Sequence, residues 1–300
     1  MSNEISRRST RYWWQRSLSC AEALFTILNR AAGLELEPEE QAAHVLAGGV
    51  LNQGHACGML WGAALAAGVR AGRQSQPDET AAAAALNVTS LLLDEFRGLA
   101  GAVDCREIIG RDLTTVSGKL AYVASGGAAD CTRLALKWAP QAHEVIQSGL
   151  ARFQPARLTR PPLNCAAMAM ARLAEPLGLD QEKTPVLVAG FAGGPGLEGN
   201  ACGALAAGMF ALALKHYHAH GRKARDSRFR ALAQEFGLGK GFAEGPARLR
   251  SEFLRRFHTE LCREIASGRF ASQDDHSAYL ADGGCREVIA FIADWSKQVI

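Results

Sequence analysis

Eight cysteines, at positions 20, 57, 105, 131, 165, 202, 262 and 285, carry most of the chemistry this chain could do. Thiolate sulfur is a soft ligand for iron–sulfur clusters and zinc, and a nucleophile towards disulfides. No Cys-x-x-Cys pair occurs, so there is no covalent haem attachment site, and the close pairs of a zinc knuckle are missing. A lone cysteine is commonly a small buried hydrophobe. Two quartets in matching contexts are harder to explain that way, because a core accepts Ala or Val equally well.

Cys20 to Cys57 and Cys165 to Cys202 both span 37 positions, and an offset of 145 superimposes them without a gap. Neighbours follow the same offset: Cys20-Ala21 matches Cys165-Ala166, Gly48-Gly49 matches Gly193-Gly194, and Gly54-His55-Ala56-Cys57-Gly58 matches Gly199-Asn200-Ala201-Cys202-Gly203. Further on, Cys105-Arg106-Glu107-Ile108 recurs as Cys262-Arg263-Glu264-Ile265, and Gly126-Gly127 ahead of Cys131 recurs as Gly283-Gly284 ahead of Cys285. The chain is an internal repeat. The span between second and third cysteines is 12 residues longer in the second copy, and the surplus is expected in the polar stretch 216–230. Prolines 155, 161 and 162 interrupt helical patterning between the copies, which divides the chain into domains 1–155 and 156–300.

The elements that position the thiols are expected to be helices. Apolar residues make up 48% of the chain but aromatics only 7%, and Ala-rich tracts such as 80–86 and 201–214 have high helix propensity. The fold class is all-α, two homologous helical bundles related by an approximate two-fold axis and facing each other as the halves of a dimer would. Cys57 and Cys202 follow glycine-rich turns, and Cys20, Cys131, Cys165 and Cys285 precede helical patterns. Six of the eight thiols are therefore expected at helix starts, where the dipole and free N–H groups stabilise thiolate. Gly58 and Gly203 lack a side chain, which would let backbone approach an anionic cluster and donate N–H groups to its sulfurs.

These segments resemble the redox-active family named for its C_GCAxxG_C_C cysteine pattern, twice over. The first copy carries the likeness in Ser19-Cys20-Ala21-Glu22, Gly48-Gly49, Cys57-Gly58 through Gly62-Ala63, Cys105-Arg106-Glu107 and Cys131. The second carries it in Asn164-Cys165-Ala166, Gly193-Gly194, Cys202-Gly203-Ala204, Cys262-Arg263-Glu264 and Cys285, departing where Ala207 replaces the motif's later glycine and Gly208 follows it. The four cysteines define that family, and a related domain in split-Soret cytochrome c accompanies haem with an iron–sulfur centre. The resemblance thus implies a cluster on Cys20, Cys57, Cys105 and Cys131, and another on Cys165, Cys202, Cys262 and Cys285. It favours [2Fe–2S], while dispersed thiolates suit [4Fe–4S] as well. The alternatives are a dithiol–disulfide redox protein using the same cysteines and a structural zinc protein.

Arg7 and Arg8 are not followed by an uninterrupted apolar segment or a small-residue cleavage site, so a cytoplasmic protein is expected, where thiols stay reduced. The apolar windows 45–51 and 205–214 are too short to span a bilayer. A net charge of +3 on 300 residues gives no global pull towards nucleic acid or an anionic membrane, so no nucleic-acid partner is expected. The basic stretch beginning at Lys215 and ending at Arg230 is either a solvated surface or a docking patch for an acidic redox partner, which Arg7, Arg8, Arg11 and Arg16 could extend. His258, one turn ahead of Cys262, is the best ligand candidate outside the cysteines. Arg106-Glu107 and Arg263-Glu264 either pair locally or offset cluster charge.

Overall fold

A computed structural model of the chain describes residues 5–17, 19–74, 77–157, 162–220 and 243–298. Among these residues there are fifteen α-helices and no β-strand, as the composition requires. The first repeat contains α1 (Arg7–Arg16), α2 (Cys20–Ala31), α3 (Glu37–Ala42), α4 (Gly58–Ala71), α5 (Asp78–Ala100), α6 (Cys105–Ile109), α7 (Val116–Ala124) and α8 (Gly127–Arg152). The second contains α9 (Cys165–Leu177), α10 (Lys183–Leu187), α11 (Gly203–His220), α12 (Glu244–Phe257), α13 (Cys262–Ile265), α14 (Gln273–Ala281) and α15 (Arg286–Gln298). Residues 221–230 of the expected basic patch lie outside the described residues, as do the side chains of Arg16 and His220.

Helix α4 through Gly68 and α11 through Leu214 are apolar all round and almost wholly buried, the environment such a sequence demands, before each reaches a polar end at Arg70 or Lys215. Within its own repeat α4 packs on α2 and α5, and α11 on α9 and α12. Each also crosses to the other repeat: α4 meets α10, and α11 meets α3. Trp61 of α4 sets its ring edge-on against Phe191 at 4.8 Å. The buried apolar side chains of both repeats consequently form one continuous core rather than two separate ones. No helix among the described residues is long and apolar enough to cross a membrane.

Two local devices place the cysteines. The first is a side-chain cap: Ser19 Oγ accepts the Glu22 N–H, and Asn164 Oδ1 accepts the Ala167 N–H, so Cys20 and Cys165 become the first helical residues of α2 and α9. The second is a left-handed turn. Residues 48–52 all take positive φ between 50° and 75°, Val50 and Leu51 included. L-residues resist this at about 1–2 kcal/mol each. Bonds from Leu51 N to Val45 O (2.8 Å), Asn52 N to Ala47 O (3.1 Å) and Gly54 N to Gly48 O (2.9 Å) hold the turn. Gly193, Gly194, Gly196 and Leu197 repeat it in the second copy. Strain of this kind persists where surrounding structure over-determines it, and here the turns deliver Cys57 and Cys202 to the starts of α4 and α11.

Candidate functional site

Each quartet converges. The Cys57 thiol feels the charges of Cys105, Cys20 and Cys131, and the Cys165 thiol feels those of Cys285, Cys262 and Cys202. No disulfide forms; all eight are free, with Cys57, Cys105, Cys165, Cys202 and Cys262 buried and the others half-buried. A cavity of about 370 Å³ opens onto the first quartet, walled by Cys20, Cys105 and Cys131 together with Trp14, Lys119 and Tyr122.

The second and third cysteines of each copy are tied by a two-stranded backbone clasp. Ala56 and Asp104 form an isolated antiparallel bridge, flanked by Cys57 N to Val103 O (2.9 Å) and Cys105 N to His55 O (2.7 Å). Ala201 and Leu261 do the same, flanked by Cys202 N to Glu260 O and Cys262 N to Asn200 O, both 2.7 Å. Cys105 and Cys262 therefore begin the short helices α6 and α13, a helix-start placement the sequence reading did not assign to them. Cys131 was expected at a helix start and is not there: α8 begins at Gly127, so Cys131 sits in its second turn.

The fourth cysteines are also out of register. From Cys105 and Cys262 onwards an offset of 157 aligns the copies, pairing Gly127 with Gly284, yet it places Cys131 opposite Val288 and Cys285 opposite Ala128. Ala128 lines the same cavity as Cys131. Cys131 is therefore presented from inside α8, whereas its counterpart precedes α15. Cys285 takes a left-handed φ of 58° immediately ahead of α15. The two sites are built to one plan and are not equivalent.

A tyrosine that sequence reading passed over completes each site. The Tyr122 hydroxyl donates to Cys131 Sγ at 3.3 Å, and Tyr279 is hydrogen-bonded to Cys285. The repeated glycines explain the fit: a Cβ on Gly127 would stand 2.3 Å from the Tyr122 ring, and one on Gly284 would stand 2.3 Å from the Tyr279 ring. The signal was present, since Tyr122 precedes Gly127 by five residues as Tyr279 precedes Gly284, in a chain with four tyrosines.

Gly58 and Gly203 are needed for packing at the site. A Cβ on Gly58 would lie 2.5 Å from Cys20 Sγ, and one on Gly203 would lie 1.9 Å from the Phe191 carbonyl oxygen. The N–H donors come from the turn that follows: Met59 N–H points at the Cys57 sulfur, and Ala204 and Leu205 N–H groups point at Cys202. These bonds favour thiolate, but burial wins, followed by the neighbouring sulfurs. Cys57 and Cys165 are raised well above the usual thiol range, and Cys202 is pushed up to about 12. Burial raises Cys105, Cys131, Cys262 and Cys285 in the same direction. Burial therefore opposes the thiolate that the helix starts favour.

His258 is a backbone cap, with φ of 63° at the left-handed C-cap of α12, the place Gly101 fills after α5. Arg106 reaches the Gln53 carbonyl and Asp112, each at 3.3 Å, so its guanidinium pairs locally. Trp13 stacks under Arg30 at 5.0 Å, which anchors α1 on the bundle.

Between the two sites the repeats exchange reciprocal polar contacts. His55 Nε2 lies 2.7 Å from Glu260 Oε1, and Arg250 holds the same carboxylate with two bonds of 2.6 Å. Asn200, which occupies the repeat position of His55, donates to Asp104 at 2.6 Å and accepts N–H bonds from Ala56 and Ala201, both at 2.8 Å. Segment 55–56 thus touches 260 and 200, and 200 touches 104 and 56, the pattern of an isologous interface.

A duplicated helical chain with two sets of converging thiols belongs to the class of redox-active cysteine proteins. It is a member of the family described as Putative redox-active protein (C_GCAxxG_C_C), which matches residues 18–145 and 163–299, once per repeat. No curated protein and no solved structure matches the chain, and a likeness to split-Soret cytochrome c is not shown.

Proposed function

We propose that this chain is an iron–sulfur electron-transfer protein, with Cys20, Cys57, Cys105 and Cys131 holding one cluster and Cys165, Cys202, Cys262 and Cys285 a second. The observation that carries this reading is the convergence of four thiols in each copy from four separate elements. The donor set fits: eight soft sulfurs, N–H and O–H donors aimed at several of them, and a cavity at the first quartet. A bound cluster would supply reversible one-electron chemistry. Its positive irons would also provide the partner that offsets the cost of ionising buried thiols.

Two observations support a cluster over the alternatives. The cysteines are dispersed singly along the sequence, whereas structural zinc usually takes them in close pairs. Dithiol–disulfide exchange needs an accessible thiol of lowered pKa, and burial here raises the pKa. The family resemblance favours [2Fe–2S]. The partner is a redox protein, with the stretch starting at Lys215 as the surface for an acidic one, in a cytoplasmic setting. Protein purified without oxygen should show the broad visible absorption of sulfur-to-iron charge transfer; a colourless protein after reconstitution with iron and sulfide would reject the reading.

The tyrosines give a finer test. A hydrogen bond to sulfur stabilises the more negative, reduced state. Tyr122→Phe should therefore keep full iron and lower the first centre's potential by on the order of 60 mV, the equivalent of about 1.4 kcal/mol. Redox titration followed in the visible spectrum measures this. An unchanged or raised potential would remove Tyr122 from the site.

A further inference from the structure

One buried side chain touches the backbone beside a cysteine of each quartet. Asn200 is only 3% exposed. Its Oδ1 accepts from Ala56 N and from Ala201 N, each at 2.8 Å. Ala56 is bonded directly to Cys57, and Ala201 directly to Cys202. One oxygen atom therefore joins the backbone leading to a sulfur of the first site with the backbone leading to the equivalent sulfur of the second. The route from Cys57 Sγ to Cys202 Sγ runs through two hydrogen bonds and about a dozen covalent bonds of ordinary length, with no gap through space. Asp104 fixes the amide's orientation by accepting from Nδ2 at 2.6 Å, which leaves Oδ1 facing both N–H groups. The clasps at Cys57–Val103 and Cys202–Glu260 hold both backbones in place at 2.9 and 2.7 Å.

We propose that the two four-thiol sites work as one coupled pair, with Asn200 as the bridge through which an electron passes between them. This rests on the iron–sulfur reading above and extends it, because two isolated centres would need no such connection. The step is balanced within the chain: one centre loses an electron, the other gains it, no bond forms or breaks, and no proton moves. The first electron comes from an external one-electron donor. Cys131 sits inside a helix while Cys285 precedes one with a left-handed φ of 58°, which makes the two centres inequivalent, so the shared electron has a preferred side and the pair accepts its two electrons in separate steps.

The test uses the full chain loaded with iron and sulfide. Fully reduced native protein should give an electron paramagnetic resonance spectrum broadened by spin–spin interaction. It should differ from the sum of the spectra of Cys57→Ala and Cys202→Ala proteins, each of which retains one centre. Asn200→Leu should keep native iron content and lose amide-exchange protection at Ala56 and Ala201. It should slow electron redistribution after flash photoreduction several-fold. The exchanged pair Asn200→Asp with Asp104→Asn restores the same donors and acceptors in reversed roles and should return the rate to native. Additive spectra in iron-loaded protein, or a native rate in Asn200→Leu, would overturn the bridge and leave the clusters standing. If Asn200→Leu fails to fold or load iron, a slow rate in the exchanged pair, once loaded, overturns it as well. Protein that takes up no iron at all would instead overturn the cluster reading, and the bridge with it.

Discussion

Cys57→Ala protein is expected to hold about half the iron of the native chain, all of it in the second repeat. Cys57 is buried, and its sulfur receives the Met59 N–H at the start of α4. Alanine keeps the helix start and removes the ligand, leaving iron with an open position. Loss of one buried sulfur costs only about 1–2 kcal/mol of folding free energy, so the fold survives and iron content, not solubility, reports the change. Cys202→Ala should do the converse. Full iron and an unchanged visible spectrum in Cys57→Ala would withdraw the whole quartet assignment.

The second large effect is expected at Glu260. Its carboxylate is buried and held by Arg250 and His55, the latter from the other repeat. Removing it leaves cationic Arg250 in a largely buried place without its partner, so Glu260→Ala should lose about 3 kcal/mol or more and lower the denaturation midpoint by roughly 6–12 °C. A pH dependence accompanies this. Burial alone would raise the Glu260 pKa, but bonds from His55 and Arg250 outweigh it and hold the carboxyl below its usual value of 4.5. A carboxyl depressed on folding contributes fully above its unfolded pKa, and the contribution is lost as pH falls through the lower folded value. Native protein should therefore lose this share of stability only below about pH 4.5, and Glu260→Gln should lack that part of the acid limb. Thermal melts of both proteins between neutral and acidic pH provide the check; parallel curves would show that the network adds nothing.

Helical class and repeat were legible because both are written locally, in Ala-rich propensity and in a 145-residue offset that carries whole blocks of sequence. The cysteines were legible for the same reason. The clasp that brings 55–57 onto 103–105 pairs segments far apart in sequence, and nothing local marks either as half of a bridge. His55 and Asn200 differ between the copies, and the interface between two inequivalent halves uses that difference: His55 meets Glu260, and Asn200 meets Asp104. Nothing local marks Tyr122 or Tyr279 as a cysteine's partner, because the role of Gly127 and Gly284 as the floor beneath each ring exists only once the helices are packed. Helix starts alone do not secure the thiolate, because a dipole worth about 1 kcal/mol is opposed by burial of a charge among three like neighbours.

The central claim is most directly tested by measuring iron and acid-labile sulfide per chain, alongside zinc, in protein purified and reconstituted without oxygen. Two clusters predict about four iron and four sulfide for [2Fe–2S], or about eight of each for [4Fe–4S], with zinc absent. Protein that remains metal-free, or that carries zinc without sulfide, would contradict the account.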